Sequence, residues 1–269
     1  MIQALGLHSP VLARVRGLRE RAGRREAGRF LIEGPTLLAD ALAAGVRPFG
    51  IYGTGEALAA AGAILAGRID PSLVFEVPER ALARLSALET PPGLVAELPL
   101  VLAAPAELFG ASPGAGPAEP VAILAGIADP GNAGTLLRSA EIFGLARIVV
   151  AEGGVDPYHP KVVRAAMGAH LRCRIAHASG AAIVAAAGAA GYTIVAAATG
   201  GESLPDFVFP ERTAVAIGSE RHGVAPALPH WDRTVSVPHL GAGESLNAAV
   251  AGSIVFYALA QSRSMCEKP

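Results

Sequence analysis

Cysteine and lysine are nearly absent from this chain of 269 residues. The two cysteines, Cys173 and Cys266, are too few and too far apart for a disulfide framework or a zinc site, both of which need paired thiols. A reducing, cytoplasmic setting and no metal are therefore expected. Lys161 and Lys268 are the only lysines, so arginine supplies the other 20 of the 22 basic residues. Aromatic residues make up 5% and charged residues 17% of the chain, against 52% hydrophobic, a balance that excludes a wholly disordered chain. The formal net charge of −1 excludes a uniformly cationic nucleic-acid binder. The segment from Ala178 to Gly201 carries no charge, but it is mostly Ala and Gly and is interrupted at Gly191, Tyr192 and Thr193. It reads as a small-residue helix followed by a strand, not as a membrane span. No charged start followed by a long apolar run occupies Met1 to Pro10, so no secretory leader is expected.

What the chain does have is local. Arg14, Arg16, Arg19, Arg21, Arg24, Arg25 and Arg29 fall within sixteen positions opposed only by Glu20 and Glu26, a local excess of +5 (7 − 2). By itself this is a solvated helix face or a set of phosphate contacts. Residues 105–119, dense in Pro, Gly, Ala and Ser, read as a linker between a domain at 1–104 and another at 120–269. Before the linker, strands at 29–32, 49–52, 73–77 and 93–98 alternate with helices at 34–44, 56–66 and 79–86. After it, the apolar run 121–127 predicts a buried parallel strand. Apolar positions 133, 136, 137, 140 and 143 predict the helix that follows. Strands at 147–150, 193–197, 214–217 and 235–237 and a last helix at 245–260 complete a second α/β domain with a parallel sheet.

Ligands of parallel sheets bind where strand ends meet helix N-termini. Three such junctions stand out. Asp129-Pro130-Gly131-Asn132-Ala133-Gly134 leaves a strand and opens a helix, with Asn132 as the natural N-cap and Arg138 two turns on. Gly218-Ser219-Glu220-Arg221-His222-Gly223 follows another strand. Val237-Pro238-His239, a Gly-rich stretch and Ser245-Leu246-Asn247 form the third. Taken one at a time, these are capped helices and ordinary glycine loops.

Together they resemble the SpoU, or TrmH, family of RNA ribose 2′-O-methyltransferases, part of the SPOUT superfamily. The first motif of that family, Asn-x-Gly-x-x-x-Arg, corresponds to Asn132, Gly134 and Arg138. The second, Gly-x-Glu-x-x-Gly, corresponds to Gly218, Glu220 and Gly223, and the third to Pro238, Ser245, Leu246 and Asn247. The stretch from Asp156 to Ala169 is similar to what lies between the first two motifs in the family. Arg29 to Gly34 and Thr90-Pro91-Pro92-Gly93 resemble its N-terminal substrate-binding domain, whose fold is akin to that of RNA-binding ribosomal proteins. The departures are Ala166 in place of a common Ser, His239 in place of a common Met and Val237 in place of the usual Ile.

The resemblance implies a C-terminal methyltransferase domain tied in a trefoil knot and a smaller N-terminal α/β RNA-binding domain. It implies S-adenosylmethionine held by Gly218, Val237 and Leu246, with Thr199 and Gly200 on a neighbouring loop. Arg138 would orient and activate the ribose hydroxyl, with Asn132, Glu220, Ser245 and Asn247 positioning it and the nucleotide. Phosphates would meet Arg14, Arg16, Arg19, Arg21, Arg24, Arg25 and Arg29, with Arg164, Arg172 and Arg174 as further contacts. The glycines at the second and third junctions would keep Cβ atoms away from the cofactor. A homodimer, 23S rRNA as the substrate and no membrane partner complete the expectation. Methylation of tRNA and a non-catalytic RNA-binding role are the alternatives. A dinucleotide oxidoreductase is excluded, since no Gly-x-Gly-x-x-Gly follows a first strand.

Overall fold

The computed structural model describes residues 2–110, 118–243 and 245–266, with residues 265 and 266 by backbone alone. The chain divides into two units: residues up to Val101 together with Tyr158–Leu171, and Leu102–Pro157 together with residues from Arg172 onward.

The first unit contains β1 (Gln3–Ala4), α1 (Pro10–Gly17), α2 (Arg21–Ala27), β2 (Arg29–Glu33), α3 (Pro35–Ala43), β3 (Gly50–Gly53), α4 (Gly55–Ala60), α5 (Gly62–Leu65), β4 (Val74–Glu76), α6 (Glu79–Leu85) and β5 (Leu94–Pro99). Its sheet runs β1-β4-β3-β5-β2, with β5 antiparallel to both of its neighbours. Side chains alternate across each strand, and both faces are covered. Phe30, Ile32, Ile51, Ala96 and Leu98 pack on one face with Leu38 of α3. Leu31, Tyr52 and Val95 pack on the other with Val15 of α1 and Leu82 of α6. Glu97 points to this second face and is fully buried. Arg14 of α1 meets it through two bonds of 2.8 and 2.9 Å, Arg29 through one of 3.2 Å, and the Tyr52 hydroxyl donates to it.

A later stretch belongs to this unit as well. It carries the helix α9 (Pro160–Ala165), and Tyr158 and Val163 pack in the core beside Phe30. The Tyr158 hydroxyl donates to the Val101 carbonyl at 2.7 Å. The domain expected at 120–269 is thus interrupted by residues 158–171, whose apolar side chains find their cover in the first unit.

The second unit contains α7 (Pro105–Leu108), β6 (Val121–Ala125), α8 (Pro130–Ile142), β7 (Arg147–Ala151), β8 (Arg174–Ala178), α10 (Gly180–Ala189), β9 (Thr193–Ser203), β10 (Thr213–Gly218), β11 (Arg233–Ser236) and α11 (Ala248–Cys266). Its six-stranded sheet is parallel throughout, in the order β11-β9-β10-β6-β7-β8. The expected linker at 105–119 is corrected for its described part. Residues 105–108 form α7, and Leu108 and Phe109 are fully buried in the core of this unit, where Phe109 packs edge-on against Tyr192. Residues 111–117 lie outside the described residues. The uncharged stretch after Ala178 becomes α10 and the start of β9, as its composition implies, and among the described residues no helix is long and apolar enough to cross a membrane.

Candidate functional site

Strand order fixes where the site lies. From β6 the chain moves to β7 on one side, whereas from β10, its neighbour, it moves to β11 on the other side beyond β9. Such a reversal opens a crevice at the carboxyl ends of the two middle strands. The first junction leaves β6 and the second leaves β10, so the fold brings them together from positions 88 residues apart.

At the first junction the N-cap is Asp129, not Asn132. Its carboxylate accepts the Asn132 N–H at 2.8 Å, and Pro130 takes the first helical position, where no N–H is needed. The amide of Asn132 is thereby released from capping. At the second junction, Ser219 and Gly223 exchange two backbone bonds of 3.1 and 2.9 Å, closing a tight loop that presents Glu220. Gly223 adopts φ +62°, which suits glycine. A Cβ on Gly218 would lie 2.1 Å from the Gly223 carbonyl carbon. Of the two glycines of Gly-x-Glu-x-x-Gly, Gly218 is therefore required by the backbone of Gly223, and Gly223 by its own positive φ. This gives Gly218 a reason in the loop's own backbone beside the expected one, clearance for a cofactor.

At the third junction α11 starts at Ala248, three residues later than expected, and Asn247 caps it. The Asn247 Oδ1 accepts the N–H groups of Ala249 and Val250 at 3.0 and 3.3 Å. A backbone N–H can only donate, so this fixes which end of the amide is oxygen. Its Nδ2 then donates to Asn132 Oδ1 at 3.0 Å and to Glu220 Oε1 at 3.3 Å. Asn132 Nδ2 donates to the same Glu220 oxygen at 2.7 Å, and the Ala248 N–H reaches it at 3.2 Å. One residue from each motif thus enters a closed circuit, with a carboxylate at the N-terminus of α11 where the helix dipole favours negative charge. A bond of 2.7 Å between the Ser253 and Ser139 hydroxyls ties α11 to α8 below it.

Beside the circuit lies a pocket walled by Thr199, Ile217, Gly218, Glu220, Val235, Val237, Ser245, Leu246 and Ala248. One wall exists because β9 bulges: β11 pairs with Val195 and Ala196 and then skips to Glu202 and Ser203, so the residues between are pushed out of the ladder. Of the five residues expected to hold a cofactor, Thr199, Gly218, Val237 and Leu246 line the pocket, and Gly200 lies in the bulge without lining it. Sequence reasoning passes over Ser219, Ser236 and His239, which also line it. The signal available for them is only their position on the two loops.

The remaining expected residues separate. Ser245 lines the pocket but stands outside the circuit. Arg138 is exposed on α8, does not line the pocket and has no partner among the described residues. It follows Asn132 by six residues, about 240° around the helix, and so faces elsewhere. Arg24 is buried, with its guanidinium on the carbonyls of Leu18 and Arg19, so it cannot present itself to a phosphate. Arg14 and Arg29 are committed to Glu97, and Arg29 also lies 3.9 Å from the centroid of the Phe49 ring. Arg172 pairs with Glu141 at 2.7 Å and Arg174 with Glu107 at 2.9 Å. Arg164 is on α9, in the first unit. Arg16, Arg19, Arg21 and Arg25 are exposed. No group of three or more metal-ligating side chains occurs among the described residues.

Residues 119–257 match the SpoU rRNA Methylase family, and residues 10–96 match the MRM3-like substrate binding domain. The chain is 30% identical to an uncharacterised tRNA/rRNA methyltransferase of Synechocystis sp., over 93% of this chain and 90% of that protein. It is 33% identical to the 23S rRNA (guanosine(2553)-2′-O)-methyltransferase RlmP of Bacillus subtilis, and that likeness spans 53% of this chain and 58% of that protein. In structure it is similar to the SpoU methyltransferase AviRb from Streptomyces viridochromogenes in complex with the cofactor AdoMet. The TM-score is 0.80 at 26% identity, covering 96% of this chain and 99% of that one.

Proposed function

The chain belongs to the SpoU rRNA methylase family, and from that premise we propose that it methylates a ribose 2′-hydroxyl of ribosomal RNA, with 23S rRNA as the substrate and S-adenosylmethionine as the donor. The observation that carries this reading is the closed circuit of Asn132, Glu220 and Asn247 beside the pocket. A structural cap would need only Asn247. Three polar side chains from three distant segments, bonded to one another at the mouth of a cleft, fit a catalytic centre.

The pocket suits the cofactor. Ile217, Val235, Leu246 and Ala248 supply apolar walls for a flat aromatic ring, and the main chain at Thr199, Gly218 and Val237 borders the same space. When bound, S-adenosylmethionine supplies an electrophilic methyl carbon on a sulfonium. The chain's own part is to hold the nucleotide so that its hydroxyl lies in line with that carbon, since positioning can remove much of such a barrier. A guanidinium offers only hydrogen-bond donors, so the role of Arg138 is to orient and polarise the hydroxyl.

A homodimer belongs to this reading. Val250, Ile254 and Tyr257 of α11 form an exposed apolar stripe at helical spacing, with Ile142 of α8 also exposed. Arg138 precedes Ile142 by one turn, so it sits where a second copy covering that stripe would receive it. The family's trefoil knot, the first unit as the holder of RNA and a cytoplasmic setting are further parts of the proposal. The match of residues 10–96 to a substrate-binding domain supports the second of these. Arg138→Ala should lower methyl transfer about a hundredfold while changing S-adenosylmethionine affinity, measured by calorimetry, less than about threefold. Transfer at the parent rate would remove Arg138 from the centre. The substrate is tested by primer extension at low nucleotide concentration on ribosomal RNA from cells with and without this chain. One new stop in 23S rRNA is expected, and identical patterns on all ribosomal RNA would contradict the assignment.

A further inference from the structure

The seven clustered arginines do not act as one patch, and the structure brings in an eighth from far along the chain. In the first unit, α1 and α6 enclose a notch of about 220 Å³. Its floor is apolar, made by the buried side chains of Leu12 and Leu85. Its rim carries His8, Ser9, Arg16 and, 68 residues later in the chain, Arg84. No carboxylate lines it, and neither Arg16 nor Arg84 has an ion-pair partner among the described residues. Ser9 precedes the first residue of α1 without its hydroxyl capping the helix, so that oxygen remains a donor at the rim. Arg19 donates to the Arg84 carbonyl at 3.2 Å, which anchors α6 beside the notch and adds a further positive charge next to it.

Two exposed guanidinium groups on the rim of one small concavity with no acid in it give it a positive potential that an anion would neutralise. Resting on the reading of this chain as an RNA-modifying enzyme, we propose that the notch is an RNA phosphate site, where Arg16 and Arg84 clamp one backbone phosphodiester with His8 and Ser9 as further donors. The volume is ample for a phosphate group with its water. The site is blind to sequence, because it meets only the backbone. Arg14, Arg24 and Arg29 take no part, since Arg14 and Arg29 are paired with Glu97 and Arg24 is buried on backbone carbonyls.

The test uses the full chain and a fluorescent RNA duplex of arbitrary sequence, with affinity measured from 50 to 300 mM salt. Arg16→Gln with Arg84→Gln should weaken binding and reduce the slope of log affinity against log salt by about 0.7 to 0.9 for each phosphate no longer neutralised. Arg84→Lys, which keeps the charge, should retain most of the slope. Arg68→Gln, an exposed arginine of the same unit outside the notch, should leave it unchanged. An unaltered slope in the double variant, or no binding of duplex by the parent, overturns the site. The reading of the enzyme is scored separately by methyl transfer to ribosomal RNA, so failure of the notch and failure of the function give different results.

Discussion

Asn247 shows how one side chain can serve fold and chemistry at once. Its oxygen caps α11 and its nitrogen holds the circuit, so the two roles can be separated by changing one atom. Asn247→Asp keeps an oxygen for the cap but turns the Nδ2 donor into an acceptor facing Asn132 Oδ1 and Glu220 Oε1. Methyl transfer should fall about ten- to a hundredfold with the helix signal in circular dichroism unchanged. Parent-level transfer would mean that the circuit is only a cap. Glu97 carries a different prediction. Burial pushes its carboxyl up, but the hydrogen bonds from Arg14, Tyr52 and Arg29 outweigh this and hold it below the ordinary value of 4.5. A folded value below the unfolded one adds stability above about pH 4.5, and that stability is lost as pH falls through the folded value. Glu97→Gln should therefore unfold more readily than the parent at neutral pH, by about 2–3 kcal/mol, and the gap should close as pH falls below 4.5. A gap that stays constant from pH 7 to pH 3 would contradict this. Sequence alone puts Arg14 and Arg29 in a phosphate-binding group, because nothing in the residues between 14 and 29 shows that a buried carboxylate lies at position 97 on another strand.

Among elements, the loop closed by Gly218 and Gly223 makes the sharpest claim. A methyl group on Gly218 collides with the loop's own backbone, so Gly218→Ala should lower the unfolding temperature with no cofactor present, at a cost of about 1–3 kcal/mol. If the glycine served only to clear a ligand, the ligand-free variant would melt like the parent. Local pattern is enough to read most of the strands and helices. The apolar run at 121–127 and the spacing of Leu136, Leu137 and Ala140 leave few alternatives. Strand β8 escapes such a reading, since Arg174-Ile175-Ala176-His177-Ala178 has one apolar side chain larger than alanine and no turn signal before it. Helix α7 reads as linker because its Pro and Ala hide the two residues that matter, Leu108 and Phe109, whose burial is decided by a core assembled from β6, β7 and α10. The cap of α8 reads three residues late because both Asp129 and Asn132 are good caps, and only Pro130 in the first helical position settles the choice.

At the scale of the whole molecule, the three motifs are legible as a set but their joint geometry is not. Asn132 and Glu220 are 88 residues apart, and the two meet because β6 and β10 are neighbours in a sheet whose order no local signal encodes, while Asn247 joins them because α11 packs on α8. The position of Arg138 away from the pocket is hidden for the same reason, since the motif spacing gives its helix but not the face that the helix turns to the crevice. The segment Tyr158–Leu171 belongs to the first unit though it lies between two motifs of the second, so a fragment starting near Pro120 would strip Tyr158 and Val163 of their cover. Cofactor and substrate measurements therefore need the full chain. Alkali reads the position of the methyl group directly, because cleavage of RNA by base requires a free 2′-hydroxyl. Ribosomal RNA transcribed in vitro is incubated with the chain and S-adenosylmethionine labelled in its methyl group, then hydrolysed in alkali. The label should appear in a dinucleotide that resists hydrolysis, and label in mononucleotides, or none in RNA at all, would contradict ribose 2′-O-methylation.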